Sequence, residues 1–306
     1  KLYEVPGLAV TVVKDGKVIL SKGYGVRQLG TNLVVDSKTL FACASTTKAM
    51  TATCMGMLVD EGKVKWEDRV IDYLPEFQLY DPNVTRELKI RDLFTHNSGV
   101  GNADFLWTIM KIPSDEVLAK MKMVEPSYSL RSSFIYQNIF YLAAGKVIEK
   151  VSGMPWEVFI QKRIFDPLTM TRTFPLLSQV KDANQSYPHH LVDTKITVIE
   201  RTNADEIGPA GSVWSCSDDM SKWAICMLDS SKYAGGRLVK ATTWNELFKP
   251  QVMVTASQFY PTAQLTKPNW KTYSLGWFQQ DYKGSKINYH TGSLAGETAI
   301  HGQLPS

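Results

Sequence analysis

The 306 residues are enough to bury a sizeable core, as one large domain or two modest ones, without disulfide or metal staples. Hydrophobic residues at 44% and charged residues at 21% are ordinary for a folded globular chain, and 20 glycines with 14 prolines exclude collagen-like and low-complexity readings. A net charge of +4 is too small and too scattered for a nucleic-acid footprint, and no apolar run approaches the roughly 18 residues of a membrane span.

Residues Gly7 to Lys14 are apolar and rich in β-branched side chains, and Asp15-Gly16 separates them from the similar run Lys17 to Tyr24. Two such runs around Asp-Gly predict a hairpin, because a tight primed turn needs positive φ. From Thr46 to Glu61 the apolar residues Met50, Thr53, Cys54, Met57 and Leu58 recur three and four apart, which predicts a helix with one apolar face stopped by Gly62. Ile90 to Thr95 reads as a short amphipathic turn. Ser114, with Asp115 and Glu116, predicts a capped helix through Met123. Ile139 to Val151 is a further helix closed by Ser152-Gly153, and Pro155 opens the next. Pro175 to Thr202 is polar and irregular, and Ser217, Asp218 and Asp219 cap a helix over Met220 to Leu228. Strands return over Tyr273 to Tyr282, Ser285 to Thr291 and Glu297 to Leu304.

Strands at both ends with helices between them predict an α+β fold. The expected arrangement is an antiparallel sheet formed by both chain ends and flanked by helices. Residues 1–64 and 206–306 make the sheet-containing lobe, and 65–205 an inserted, mostly helical lobe. Cys43, Cys54, Cys216 and Cys226 fit no zinc-site spacing and read as small buried hydrophobes. His189-His190 would point to opposite faces of a strand and share no metal easily, and no phosphate-binding or dinucleotide glycine pattern occurs. The sequence calls for no cofactor.

Three fragments carry candidate chemistry. Ser45-Thr46-Thr47-Lys48 precedes the Met50 helix, so Ser45 sits at a helix N-terminus with Lys48 one turn on, able to reach its hydroxyl. A lysine desolvated there loses basicity and can accept the serine proton. Alone, the pattern also fits an ordinary helix cap, and the same spacing recurs at Ser178 and Lys181 with no helix behind it. Tyr136-Gln137-Asn138 sets a phenol and an amide before the Ile139 helix, and His290-Thr291-Gly292-Ser293 lies on a strand near the C-terminus. Taken singly, these could be a core tyrosine, a cap and a satisfied sheet histidine. Phe105, Leu106 and Trp107 could line a pocket or belong to the core.

In this order the fragments resemble the penicillin-recognising serine hydrolases: class C β-lactamases, D-alanyl-D-alanine peptidases and their esterase relatives. Leu93 to Gly99, Pro209-Ala210-Gly211 and Leu275-Gly276-Trp277 resemble the family as well, and the similarity runs from about Gly7 to Leu304. The resemblance implies a β-lactamase/transpeptidase-like fold and acyl transfer from a small ester, amide or peptide. In it Ser45 is the nucleophile, Lys48 its proton acceptor and Tyr136 the group that activates the deacylating water. Asn138 holds a substrate carbonyl, and His290, Thr291 and Gly292 line the substrate strand. Backbone N–H groups of Ser45 and Ser293 form the oxyanion hole. A D-amino-acid peptidase, a β-lactamase, an acyltransferase and a catalytically silent ligand-binding relative share this pattern. His290 stands where β-lactamases usually carry lysine; a histidine titrating near 6.5 is mostly neutral at pH 7, which favours esters or amides over penicillins. The resemblance also implies a helix before the first strand, and a strand and a long helix after the last motif. The 306 residues leave no room for these, so the expectation is a truncated chain.

Overall fold

In the computed structural model, which describes residues 4–256 and 266–305, the chain opens with the expected hairpin. β1 (Gly7–Lys14) pairs antiparallel with β2 (Lys17–Gly25), and Asp15 and Gly16 between them have φ of 51° and 70°. Positive φ at both positions is what a primed two-residue turn demands, and Asp-Gly supplies it at small steric cost. A short strand, β3 (Phe41–Ala42), then leads into α1 (Thr47–Asp60). The later helices are α2 (Pro82–Glu87), α3 (Asp92–Thr95), α4 (Phe105–Thr108), α5 (Ser114–Lys120) and α6 (Ile139–Ser152). After them come α7 (Trp156–Ile160), α8 (Gly208–Gly211), α9 (Ser217–Leu228) and α10 (Ala241–Leu247).

α1 is the axis of the molecule. The expected single apolar face is corrected: every residue from Thr47 to Leu58 is buried, because α6, α7, α8 and α10 pack around the helix. Two of its threonines survive burial by donating to backbone carbonyls, one on α8 and one within the helix. Thr51 donates to the Pro209 carbonyl at 2.7 Å and Thr53 to the Ala49 carbonyl at 2.9 Å, so neither hydroxyl is left unsatisfied.

Other expectations need smaller corrections. Pro113, not Ser114, caps α5; Ser114 is the first helical residue, and its hydroxyl donates to the Glu206 carbonyl at 2.8 Å. α6 ends at Gly153 with φ of 72°, and Pro155 caps α7, both as the sequence indicates. The stretch read as irregular holds a hairpin of β4 (His189–Val192) and β5 (Lys195–Val198). His189 Nε2 accepts the Leu29 N–H at 3.0 Å. β6 (Trp214–Ser215) pairs with β3, and β7 (Lys232–Tyr233) with β8 (Gly236–Arg237).

The main sheet is antiparallel. Its strands are β9 (Val252–Met253), β10 (Lys271–Tyr273), β11 (Phe278–Tyr282), β12 (Ser285–Leu294) and β13 (Glu297–Gln303), in spatial order β13-β12-β11-β10-β9. What reads as one strand over Tyr273 to Tyr282 is two, split where Gly276 takes φ of 83°. Among the described residues the N-terminal hairpin does not hydrogen-bond to this sheet; α9 packs against β1, β2 and β13 instead. A cleft of about 1340 Å³, lined by the facing edges of β1 and β13, separates the two. All four cysteines are free and buried, as read from their spacing. Among the described residues no helix is long and apolar enough to cross a membrane.

α6 and α8 approach so closely that a Cβ on Gly145 would lie 2.2 Å from Pro209 Cγ. Alanine is favoured over glycine in a helix by about 1 kcal/mol, whereas overpacking a core typically costs about 1–3 kcal/mol. Here the clash should win, because the obstacle is a proline ring. Gly145→Ala is expected to lower the urea midpoint at unchanged m-value; a midpoint equal to or above that of the parent would refute this close packing.

Candidate active site

The site is built where the turn before α1 meets β12 and the segment leading into α6. Ser45 occupies a 3-10 turn, Ala44–Thr46, that runs directly into α1. Ala44 has φ of 46°, a left-handed conformation that is uncommon for a residue with a Cβ and costs roughly 1 kcal/mol or more. The surroundings hold it there. Cys43 donates its N–H to the Val213 carbonyl at 2.8 Å, and Thr46 Oγ1 donates to the Cys43 carbonyl at 2.9 Å. From the other side, a Cβ on Gly292 would lie 2.2 Å from the Cys43 carbonyl oxygen and 2.9 Å from Ser45 N. Only glycine lets β12 come this close, and the approach sets the Gly292-Ser293 backbone beside the Ser45 N–H.

Lys48 is buried beneath Ser45. Its Nζ lies 3.1 Å from Ser45 Oγ, 2.7 Å from Asn138 Oδ1 and 2.8 Å from the Ala210 carbonyl oxygen. Two of these three neighbours can only accept. A neutral amine has two N–H groups, which go to Asn138 and Ala210, so its lone pair is left facing the Ser45 hydroxyl. The protonated amine fills the same three positions with three donors. Burial pushes Lys48 down to about 7, against an opposing pull from Asp104, so both forms are accessible near neutral pH.

Tyr136 and Asn138 enter through the segment before α6. The Tyr136 ring centroid is 4.9 Å from Lys48 Nζ, and the ring lies against His96 with centroids 4.2 Å apart. His96 grips this segment twice: its carbonyl accepts the Ile135 N–H at 2.7 Å, and its Nδ1 accepts the Gln137 N–H at 3.0 Å. Asn138 is engaged at both ends, with Oδ1 taking a Lys48 N–H and Nδ2 donating to Asp104 Oδ2 at 2.8 Å. Substrate contact through that amide would therefore have to exchange one of these bonds.

His290 differs most from its expected place at the substrate. It is 1% exposed, with Nδ1 2.6 Å from the Thr291 carbonyl and Nε2 2.8 Å from Tyr273 Oη. The carbonyl can only accept, so Nδ1 carries the proton and Nε2 accepts from the Tyr273 hydroxyl. Burial first, then the nearby Lys48 charge, pushes this imidazole down to about 3. In this arrangement neither ring nitrogen is presented to a substrate, and the ring is neutral at physiological pH.

Ser45, Lys48, Tyr136, Asn138, His290, Thr291, Gly292 and Ser293 thus converge from three distant segments, while Ser178 lies on another part of the chain, donating its N–H to Asp205 at 3.0 Å. Leu106 and Trp107 are core residues, and Phe105 is half exposed. The sequence does not single out Asp104, Tyr141 or Tyr273, and it marks Ala210 only as part of the family-like fragment Pro209-Ala210-Gly211. Asn102-Ala103-Asp104 before a short helix reads only as a turn, and no local spacing connects it to Asn138.

Comparison with known proteins bears on the fold and the family. The chain is 27% identical to an unguisins hydrolase from Aspergillus violaceofuscus over 325 aligned positions, covering all of this chain and 57% of that protein. It therefore spans little more than half the length of that relative. The penicillin-binding protein homologue from Pyrococcus abyssi superposes with a TM-score of 0.83 at 23% identity, over 99% of this chain and 67% of that one. A D-stereospecific amidohydrolase from Streptomyces gives 0.78 at 23% identity, over 98% and 86% respectively. These likenesses establish the β-lactamase/transpeptidase-like α+β fold expected from the sequence. The family match itself extends from residue 1 to residue 302, and the chain belongs to the Beta-lactamase family.

Proposed function

We propose that this chain is a serine hydrolase that works through an acyl-enzyme on Ser45, with small esters or amides as its substrates. The observation that carries the reading is the Lys48 amine, whose two carbonyl partners leave its lone pair for the Ser45 hydroxyl 3.1 Å away. In acylation the Ser45 proton passes to Lys48 as Oγ bonds to the substrate carbonyl carbon. Charge on the carbonyl oxygen then falls to the backbone N–H groups of Ser45 and Ser293, each typically worth about 3–4 kcal/mol of barrier. Collapse of the intermediate breaks the bond to the alcohol or amine, which leaves with a proton from Lys48. For deacylation the Tyr136 hydroxyl proton passes to the now neutral Lys48, the resulting phenolate takes a proton from water as its oxygen bonds to the acyl carbon, and Lys48 returns its proton to Ser45 Oγ as the acyl bond breaks. Protonated Lys48, 4.9 Å from the ring, stabilises negative charge on the phenol at that step. Thr291 and Gly292 border the substrate on the β12 side. An acceptor other than water would use the same residues.

The name of the Streptomyces relative, a D-stereospecific amidohydrolase, supports D-configured amides as one substrate group to test. A neutral His290 weighs against penicillins, whose carboxylate is best met by a permanent cation.

Ser45 should be the residue that a fluorophosphonate modifies. Intact-protein and peptide mass spectrometry are expected to place one adduct on the peptide containing Ser45 and none in Ser45→Ala. A label on Ser178, or a label retained by Ser45→Ala, would remove the nucleophile from this scheme, and no label at all would mark a silent relative.

Substrate preference follows from His290. The kcat/KM for p-nitrophenyl acetate or butyrate is expected to exceed that for benzylpenicillin, and the reverse order would refute the argument from a missing cation.

Tyr136→Phe removes a hydroxyl and keeps the ring against His96, so the fold should persist. A burst of p-nitrophenol followed by slow turnover is expected, with acylated protein visible by mass. A general base contributes about 10²–10⁴ in rate, so the delay should be plain. Parental steady-state turnover in this variant would exclude Tyr136 from deacylation.

A further inference from the structure

Asp104 stands at the start of α4, outside every motif that the sequence offered, and is tied into the site by several bonds. Its Oδ1 accepts the Trp107 indole N–H at 3.0 Å. Its Oδ2 accepts from Asn102 Nδ2 at 2.9 Å and Asn138 Nδ2 at 2.8 Å. Its own N–H donates to Asn102 Oδ1 at 2.9 Å. A carboxylate held by three side-chain donors has little freedom to turn away.

We propose that Asp104 is the positioning residue of Lys48: it locks the Asn138 amide with its oxygen toward the amine, and its negative charge acts on that amine across the amide. The first half follows from donor and acceptor counting. If the Asn138 amide were reversed, its NH₂ would face the N–H groups of Lys48 and its oxygen would face a carboxylate. Asp104 therefore selects the orientation in which Asn138 accepts from Lys48. The second half follows from the inventory of groups around Lys48. The turn before α1 contributes Ser45, and α8 the Ala210 carbonyl. The segment before α6 contributes Tyr136 and Asn138, and α6 itself Tyr141. His96, which caps α3, and His290 on β12 also feel the Lys48 charge, and burial holds both imidazoles neutral near pH 7. Among the described residues, Asp104 is the charged group that opposes the effect of burial on Lys48.

The sign is definite. Removing the carboxylate charge leaves burial unopposed, so Lys48 should release its proton at lower pH. Any consequence for catalysis rests on Lys48 being the base for Ser45, but the coupling of Asp104 to Lys48 does not. Two measurements on Asp104→Asn separate them. In protein carrying ¹³Cε-labelled lysine, with the Lys48 signal assigned by its loss in Lys48→Arg, the NMR titration midpoint should fall by about half to one pH unit. The acid limb of fluorophosphonate labelling of Ser45 should move down by the same amount, a change that loss of packing alone would not produce. Asp104→Ala, which also removes the acceptor for Asn138, should lower the plateau labelling rate by about tenfold as well. An unmoved Lys48 midpoint in both variants overturns the proposal. A moved midpoint without Ser45 labelling upholds it and overturns the hydrolase reading instead.

Discussion

Placing an amine at the centre of a protein forces most of the other choices in this structure. Lys48 lies on a helix that is buried on every side, so its head group has no water to turn to. An unpartnered ammonium there would be prohibitive, and an unpartnered amine would still waste its donors. The fold answers with two oxygens that cannot donate, from Asn138 and Ala210, and one hydroxyl that can. This trio works for either protonation state, which lets the amine take and return a proton without rearrangement. The helices that supply it are fixed by the same requirement. α8 must touch α1 to offer its carbonyl, and α6 must start where Asn138 can reach the amine.

Backbone approach is the second constraint. The oxygen of Ser45 is useful only if the turn that holds it presents N–H groups beside it, and that turn is strained at Ala44. The strain persists because Val213 ties down one side and Gly292 abuts the other. A side chain at position 292 would push β12 away from the turn and separate Ser293 from Ser45. The geometry around Ser45 is therefore written partly in β12, a strand that lies near the other end of the sequence.

That division explains what could be read in advance. The hairpin at Asp15-Gly16, α1 and α6 announce themselves through local turn chemistry and periodicity, and each forms close to its predicted limits; α9 starts earlier than expected, with Ser217, Asp218 and Asp219 as its first turn and Cys216 as its cap. Ser45 and Lys48 are equally local, one helical turn apart. Tyr136, Asn138 and His290 could be singled out only through a family resemblance, since nothing within their own segments points at Ser45. Asp104, Tyr141 and Tyr273 are illegible because their roles exist only once distant segments meet, and the resemblance at Pro209-Ala210-Gly211 does not say that the Ala210 carbonyl meets Lys48. The same holds for α1. Its sequence suggests one apolar face, and only the packing of α6, α7, α8 and α10 around it, with Thr51 bonded to the Pro209 carbonyl, shows why every face is buried. The β4–β5 hairpin carries a period-two signal in Lys195-Ile196-Thr197-Val198, but four alternating residues in a long polar stretch are too few to stand out.

The electrostatics of the pocket follow from burial more than from charge. His96 and His290 both lie within reach of the Lys48 field, and either could compete with it for a proton if it were solvated. Desolvation pushes His290 down to about 3 and His96 well below its ordinary value, while it pushes Tyr141 above the usual tyrosine range. The bond from Tyr273 to His290 Nε2 and the contact of Nδ1 with the Thr291 carbonyl then fix that ring in one tautomer. With these three groups held neutral, a proton arriving near pH 7 has Lys48 as its destination. A lysine at position 290 would place a second ammonium in the same low-dielectric space, and its repulsion would lower Lys48 further or require another anion beside it. Histidine, buried and held neutral, avoids that conflict and leaves Lys48 as the titrating cation beneath Ser45.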